Sequence, residues 1–258
     1  MKTVVITGVS SGIGKDLANL LITKGYKVYG LSRHKVEMQG LESLICDVQN
    51  LDQIKSCVNL IKEKENSIDV LINNAGIGIA GSILDSEYQD IQNLFATNLF
   101  GPIMVTKEFL PILVSGGKII NVGSVAGDLT IPYQGYYSMS KSALDKFSEC
   151  LKMELKKDKV RVTTILPGDT KTGFTDNRKT VIKENTNAEI AKKSISKMEK
   201  DEQNGASPRK VSKVIYKVIK RKHPPMRVAV GFTYKLFIFL QRILPRKLVV
   251  KIVGSLYS

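Results

Sequence analysis

Two side chains that could pass a proton between them, Tyr137 and Lys141, stand four residues apart. Side chains at this spacing share one face of a helix, and the apolar pattern predicts a helix over about residues 136–156. A free phenol rarely gives up its proton near neutral pH, whereas a nearby ammonium stabilises the phenolate and lowers its pKa. Neither Tyr133 nor Tyr136 has a lysine four residues on. We therefore predict that Tyr137 is a proton-transferring acid tuned by Lys141.

A glycine-rich turn follows the first predicted strand. Gly8, Gly12 and Gly14 come directly after the β-branched run Val4–Thr7 and open an apolar helical pattern. Glycines at such a turn let the backbone approach a pyrophosphate, which then lies at the positive end of the helix. The spacing is G-x-x-x-G-x-G, not the general dinucleotide fingerprint G-x-G-x-x-G. The turn predicts a binding site for nucleotide phosphates.

Strand-like apolar runs alternate with helical patterns along the chain, which is typical of βαβ units around a parallel sheet. The expected fold is α/β: one doubly wound Rossmann domain with helices on both faces of the sheet and a C-terminal helical extension. A helical stretch over about residues 85–113 should break at Gly101-Pro102, because proline removes a backbone donor. Strands are expected near residues 4–7, 28–31, 44–46, 70–72, 119–122, 160–166 and 227–230.

The net charge of +15 is concentrated at the C-terminal end. Residues 203–258 contain 13 Lys and Arg and no Asp or Glu, whereas the preceding part is close to neutral. Cys46, Cys57 and Cys150 form no C-x-x-C pair, so free thiols in a reducing compartment and no metal site are expected. Neither a signal peptide nor an apolar run of about 18 residues is found, which predicts a cytoplasmic protein.

The motifs, taken together and in order, resemble the short-chain dehydrogenase/reductase family, which is marked by T-G-x-x-x-G-x-G after the first strand. The resemblance runs from about residue 2 to 175. The family's other motifs appear as Asn73-Asn74-Ala75-Gly76, Asn98, Ser124, Tyr137-Ser138-Met139-Ser140-Lys141, Pro167-Gly168 and Thr172. The stretches Gly12-Ile13-Gly14 and Gly123-Ser124-Val125, with Arg33, are similar to the hydroxysteroid and retinol dehydrogenase-like branch.

This resemblance implies an oxidoreductase that acts on CH–OH groups by hydride transfer. Tyr137 would give the carbonyl oxygen its proton, and Ser124 would stabilise the charge developing on that oxygen. Asn98 would hold a water that links Lys141 to solvent. The residues expected to bind the cofactor are Gly8, Ser10, Ser11, Gly12, Ile13, Gly14, Ser32, Arg33, Asp47, Val48, Asn74, Ala75, Gly76, Tyr137, Lys141, Pro167, Gly168 and Thr172.

The end of the second predicted strand bears on the choice of cofactor. Ser32 and Arg33 stand where a carboxylate would bind the ribose hydroxyls of NAD. Arg33 can bind a 2′-phosphate through two parallel hydrogen bonds. By resemblance, Asp47-Val48 is the pair that contacts the adenine, while Ser11 departs from the basic residue that some NADP-binding relatives have. We predict NADP(H) as the cofactor.

Two segments follow the last matching motif. The polar segment 168–205 has few apolar anchors and is expected to be a mobile substrate lid with one or two weak helices. It belongs to a catalytic domain expected over residues 1–231, and residues 232–258 would form a basic, apolar helical extension split at Pro245. Such helices can cap a pocket, form a subunit contact or lie in a membrane interface. These interpretations stay open.

The apolar extension next to a lid favours a lipophilic ketone, aldehyde or alcohol of steroid, retinoid or fatty type. One alternative is reduction of a 3-oxoacyl thioester, with the basic surface docking an acidic acyl carrier protein. Another is a non-catalytic NADP(H)-binding scaffold or sensor on a membrane, which the intact Asn98, Ser124, Tyr137 and Lys141 disfavour. A homo-oligomer, either dimer or tetramer, without a nucleic-acid partner is expected, and peripheral membrane contact would go through the extension.

Overall fold

The computed structural model describes residues 1–184 and 188–257. In these residues the strands are β1 (Thr3–Thr7), β2 (Lys27–Ser32), β3 (Leu41–Ile45), β4 (Ile68–Asn73), β5 (Ile79–Gly81), β6 (Leu113–Val122), β7 (Arg161–Leu166), β8 (Lys179–Val181) and β9 (Arg227–Ala229). The helices are α1 (Gly12–Thr23), α2 (Leu51–Glu65), α3 (Tyr88–Phe95), α4 (Gly101–Phe109), α5 (Gly135–Glu154), α6 (Ala188–Gln203), α7 (Pro208–Lys220), α8 (Phe232–Ile243) and α9 (Arg246–Leu256). The predicted alternation of strands and helices is confirmed.

The main sheet is parallel throughout and has the strand order β3-β2-β1-β4-β6-β7-β9. Each of its strands overlaps one predicted from the sequence, but β6 begins six residues earlier than predicted and β3 three residues earlier. The chain builds the sheet outward from β1 on one side, and β4 then continues it on the other side. Such a reversal opens a crevice beyond the carboxyl ends of the strands. The glycine-rich turn after β1 lies at this reversal.

Helices cover both faces of the sheet, and each face has its own apolar cluster. On one face, α1 and α7 contribute side chains such as Leu21 and Ile215. On the other face, α2 and α4 contribute side chains such as Ile61 and Phe109. Strands covered on both faces need apolar side chains in both directions, which is why β1 is buried along its whole length. The doubly wound Rossmann fold is therefore confirmed.

The helical stretch predicted over residues 85–113 is present, but the chain does not break at Gly101-Pro102. Pro102 has no N–H to donate to the carbonyl of Asn98, four residues earlier. The chain accommodates this loss with a π-helical turn over Ala96–Phe100, and α4 follows at once. Pro102 then lies in the first turn of α4, where a missing donor is tolerated. The wide turn leaves Asn98 fully buried.

The polar segment 168–205 contains more regular structure than predicted. α6 is a 16-residue helix and not a weak one, because Ala191, Ile195 and Met198 form a buried stripe at helical spacing. β8 pairs in parallel with β5 in a small second sheet that the sequence does not predict. Residues 185–187 of this segment lie outside the described residues, and its mobility stays a prediction.

The C-terminal extension consists of α8 and α9, which are separated at Pro245 as predicted. Ile238 of α8 packs against Val125 and Leu166 of the main domain. In the part of the chain that the structure describes, no helix combines the length and apolar character needed to cross a bilayer. Residue 258 of the predicted extension lies outside the described part.

Candidate active site

A cavity of about 1000 Å³ opens at the carboxyl ends of the strands. Its walls include the turn after β1, the loops after β2, β4, β6 and β7, and the helices α8 and α9. The predicted site residues that line it are Gly8, Ser10, Ser11, Gly12, Ile13, Ser32, Arg33, Asp47, Val48, Asn74, Ala75, Gly76, Ser124, Tyr137, Lys141, Pro167, Gly168 and Thr172. Gly14 and Asn98 are buried and do not line the cavity.

The turn after β1 is too tightly packed for side chains. Gly8 and Gly12 have positive φ angles of 73° and 55°, and a Cβ on Gly14 would lie 2.1 Å from the carbonyl oxygen of Gly8. Asn74, in the loop after β4, fixes the turn, because its side-chain amide donates to the carbonyl oxygens of Thr7 and Gly8 at 2.9 and 3.0 Å. These contacts hold the start of α1 at the cavity wall.

The N-terminus of α1 fits a phosphate group. Ser11 is the N-cap residue, but its side chain makes no capping hydrogen bond to the helix. Within residues 1–184 and 188–257, no side chain accepts a hydrogen bond from the first N–H groups of this helix, and Gly12 and Ile13 line the cavity. Free N–H groups at the positive end of a helix bind anions. The residues present thus fit the pyrophosphate of a dinucleotide.

The turn after β2 forms another part of the cavity wall. Ser32 is buried, and its hydroxyl donates to the carbonyl oxygen of His34 at 2.7 Å. Arg33 is exposed at the cavity. Asp47 accepts a hydrogen bond from the backbone N–H of Gln49 at 2.9 Å, which orients its carboxylate. The structure therefore places a cationic side chain beside a small neutral one at the end of β2.

Tyr137 and Lys141 lie in the first two turns of α5, beside the end of β6. The Lys141 Nζ donates to the carbonyl oxygen of Val122 at 2.9 Å and lies 5.8 Å from the centroid of the Tyr137 ring. Ser124 follows β6, and its Oγ accepts a hydrogen bond from the backbone N–H of Ala126 at 3.1 Å. Ser124 and Tyr137 both line the cavity. The fold thus brings three of the four predicted catalytic residues together in the cavity wall.

Asn98, the fourth, lies behind that wall. Its side chain donates to the carbonyl of Ile77 at 2.9 Å, accepts from the N–H of Ile77 at 2.8 Å and donates to Ser140 Oγ at 3.2 Å. A Cβ on Gly76 would lie 3.3 Å from Asn98 Oδ1 and 3.5 Å from Lys141 Nζ, so both side chains adjoin the same space. The side-chain amide of Asn98 is therefore already paired, and its part in a water relay stays a prediction.

Burial determines the protonation of the tyrosine and the lysine. It raises the pKa of Tyr137 to about 12, and the nearby Ser124 side chain only partly opposes this rise. Burial also lowers the pKa of Lys141 to about 8. The net rise in the pKa of Tyr137 is dominated by burial, and the influence of the Lys141 ammonium on proton transfer stays a prediction. Tyr137 therefore keeps its proton at neutral pH.

Two aromatic side chains at the site were not predicted from the sequence. Phe174 packs against Tyr137, with ring centroids 5.6 Å apart. Tyr234 of α8 covers Gly168, where a Cβ would lie 2.1 Å from the ring, and its hydroxyl donates to the Asp169 carboxylate at 2.5 Å. Phe174 is an isolated aromatic in a polar segment, and Tyr234 is one of many apolar residues in the extension. No sequence pattern around either residue indicates that it contacts the site.

The C-terminal extension supplies a large apolar part of the cavity wall. The apolar side chains of this extension that line the cavity are Phe237, Leu240, Leu244, Val249, Ile252, Val253 and Leu256. Tyr234 ties α8 to the loop after β7, and Tyr257 packs with Ile195 and Met198 of α6. The structure thus places the extension as a cap on the pocket, one of the interpretations that the sequence left open.

Comparison with known proteins agrees with this fold and these motifs. The family model described as short chain dehydrogenase matches residues 2–183. A protein of Bacteroides thetaiotaomicron named 3-ketodihydrosphingosine reductase is 40% identical over 234 residues, which cover 88% of this chain and 87% of that protein. Because it covers 88% of the chain, this match extends beyond Thr172, the last of the family motifs.

Solved structures give the same fold. A short-chain dehydrogenase/reductase from Burkholderia phymatum in complex with NAD has a TM-score of 0.81 at 22% identity and covers 94% of this chain and 93% of its own. A short chain dehydrogenase from Burkholderia cenocepacia in complex with NADP has a TM-score of 0.79 at 22% identity, with 98% and 99% covered. The chain belongs to the short-chain dehydrogenase/reductase family, whose Rossmann fold binds a nicotinamide cofactor for oxidoreduction between ketones and alcohols.

Proposed function

We propose that this enzyme uses NADPH to reduce a long-chain lipophilic ketone, and that 3-ketodihydrosphingosine is the first substrate to test. The observation that carries the proposal is the cavity itself, in which Tyr137 and Ser124 share a pocket with the apolar side chains of α8 and α9. Apolar pockets with a few polar groups bind apolar ligands in a fixed orientation. The name of the relative from Bacteroides supports a sphingoid ketone as one such substrate.

The residues of the site account for the protonation that ketone reduction needs. We propose that Ser124 donates a hydrogen bond to the substrate oxygen, and that Tyr137 gives this oxygen its proton as negative charge develops there. When bound, the reduced nicotinamide supplies the hydride. The buried ammonium of Lys141 favours the tyrosinate that remains, and a water on the carbonyl of Asn98 passes a proton back from solvent.

The choice of NADPH rests on the turn after β2. Arg33 is exposed at the cavity beside Ser32, and a guanidinium at this place suits a 2′-phosphate. No carboxylate follows β2 within Ser32–Lys35, so nothing in this stretch can accept hydrogen bonds from ribose hydroxyls in the manner of an NAD site. The uncapped N-terminus of α1 would hold the pyrophosphate with either cofactor, because both cofactors carry it.

Arg33→Ala should weaken NADPH binding by about 10- to 100-fold, because a hydrogen bond to a charged group contributes about 1.5–3 kcal/mol. The dissociation constant of NADH should stay within about twofold, since NADH has no phosphate for Arg33 to bind. Titration of cofactor fluorescence measures both constants. Lys35→Ala, which removes a neighbouring exposed cation, is the matched control and should change NADPH binding much less. Equal losses for both cofactors with Arg33→Ala would contradict the NADPH assignment.

The substrate class is tested by NADPH consumption with 3-ketodihydrosphingosine, a steroid ketone, retinal and a 3-oxoacyl thioester. We expect the highest kcat/KM for the sphingoid ketone. Shortening its alkyl chain should lower kcat/KM by about fourfold for each methylene that leaves the pocket, since a buried methylene contributes about 0.8 kcal/mol. The proposal would be contradicted if kcat/KM did not depend on the chain length of the ketone. It would also be contradicted if kcat/KM were highest for a thioester carried by an acyl carrier protein.

A further inference from the structure

Residues 232–256 of the C-terminal extension, which comprise α8, α9 and the turn between them, present an apolar surface to their surroundings as well as to the pocket. Of the 21 large apolar side chains that are exposed in the described residues, ten belong to it. They are Phe232, Leu236, Phe237, Phe239, Leu240, Ile243, Leu248, Val250, Ile252 and Leu256. The most exposed are Phe232 at 82% and Ile243 at 63%. An apolar patch of this size is rarely left in water, so we expect a partner surface to cover it.

The charge of the same surface favours one kind of partner. Lys235, Arg242, Arg246, Lys247 and Lys251 are all exposed, and residues 232–256 contain no acidic residue. A second copy docked through this face would place the same cations opposite one another, because a two-fold contact pairs a patch with itself. Such like charges oppose association. Apolar side chains interleaved with cations suit the interface of a membrane that contains anionic lipid.

We propose that residues 232–256 dock the enzyme on an anionic membrane surface, with α8 and α9 lying in the interfacial region. Both helices are attached to the main domain, so their binding to a membrane would hold the whole enzyme at its surface. Tyr234 is hydrogen-bonded to Asp169 in the loop after β7, and Tyr257 packs against α6 beside the Lys197 ammonium, 5.4 Å from its ring centroid. Docking needs no membrane-spanning helix, since the apolar face of an interfacial helix enters only the headgroup and upper acyl region.

The docked face also leads into the pocket. Phe237, Leu240, Ile252 and Leu256 line the cavity, and each is exposed by between 38% and 52% of its surface. The same side chains therefore contact both the cavity and the proposed lipid surface. Resting on the proposed function, this arrangement lets a long-chain ketone enter between α8 and α9 without crossing water.

The test is co-sedimentation of the full chain with phosphatidylcholine vesicles that contain or lack phosphatidylglycerol. Wild type should bind the anionic vesicles, and high salt should weaken this binding. Lys247→Gln/Lys251→Gln should lower the partition coefficient by tenfold or more, since each basic residue near an anionic surface contributes about fivefold. Lys55→Gln/Lys62→Gln, which removes two exposed lysines of α2, should bind as wild type does.

A second pair of variants tests the apolar contribution. Phe239 and Ile243 are exposed and do not line the cavity, so Phe239→Ser/Ile243→Ser should lose vesicle binding and keep wild-type turnover of a short, water-soluble ketone. Met153→Ser, on α5, controls for the loss of an exposed apolar side chain.

Equal binding to neutral and anionic vesicles would overturn the proposal. So would variants that change the oligomeric state in gel filtration and leave vesicle binding intact. If wild type binds the vesicles but does not turn over the sphingoid ketone, the proposed function is refuted and the docking proposal stands.

Discussion

Tyr137→Phe should lower turnover by about a thousandfold while NADPH binding stays near that of wild type. The substitution removes one hydroxyl, the group that we propose as proton donor, and positioned acids contribute about 100- to 10,000-fold. Tyr137 lines the cavity with Ser124, and we assign the phosphates of the cofactor to a different element, the glycine turn after β1. Steady-state NADPH oxidation with the sphingoid ketone gives the turnover, and cofactor fluorescence gives the binding.

Tyr136→Phe is the matched control for this experiment. Tyr136 is the preceding residue on α5, but its hydroxyl donates to the carbonyl of Ile83 at 3.0 Å and it does not line the cavity. Its loss should change turnover by no more than about fivefold, the size of one neutral hydrogen bond. If Tyr137→Phe keeps more than about a tenth of wild-type turnover, Tyr137 is not the acid. Unchanged function of this variant in cells would instead favour the non-catalytic scaffold.

The fold and the grouping of the site residues follow from local patterns. The strands of the main sheet are short apolar runs, and each motif comes directly after one of them or on the helix that follows. Because parallel strands end at the same edge of a sheet, residues 8–14, 73–76 and 124 had to meet once the order of strands was set. The positions of these motifs after the strands therefore predict that the motif residues share the cavity.

Contacts between distant segments could not be predicted in this way. The β5–β8 pair joins three residues to three others about a hundred positions later, and neither three-residue segment has the sequence pattern that predicts a strand. Phe174 and Tyr234 reach the site through loops and helix packing that have no sequence period. The protonation of Tyr137 also depends on burial by the whole domain, so the spacing of Tyr137 and Lys141 alone could not predict that the pKa of the phenol rises.

Lys141 offers a test of that burial through the pH dependence of stability. Burial lowers its pKa from 10.5 to about 8, a difference that corresponds to about 3 kcal/mol. Between these two pH values the unfolded chain binds a proton at Lys141 that the folded chain does not bind. The free energy of unfolding therefore rises with pH across this window, because the unfolded state binds more protons. Below pH 8 the full penalty for burying the ammonium remains.

Lys141→Met should remove this dependence. Relative to the variant, wild type should gain about 3 kcal/mol of unfolding free energy as the pH rises from 7 to 10.5, measured by urea denaturation. Tyr137, whose pKa is raised to about 12, destabilises both proteins as the pH rises above 10, so only their difference isolates the lysine. Lys107→Met, an exposed position on α4, should keep the wild-type profile. Parallel profiles for Lys141→Met and wild type would mean that the ammonium is hydrated in the folded protein, and Lys141 could then no longer act as the buried cation that favours the tyrosinate.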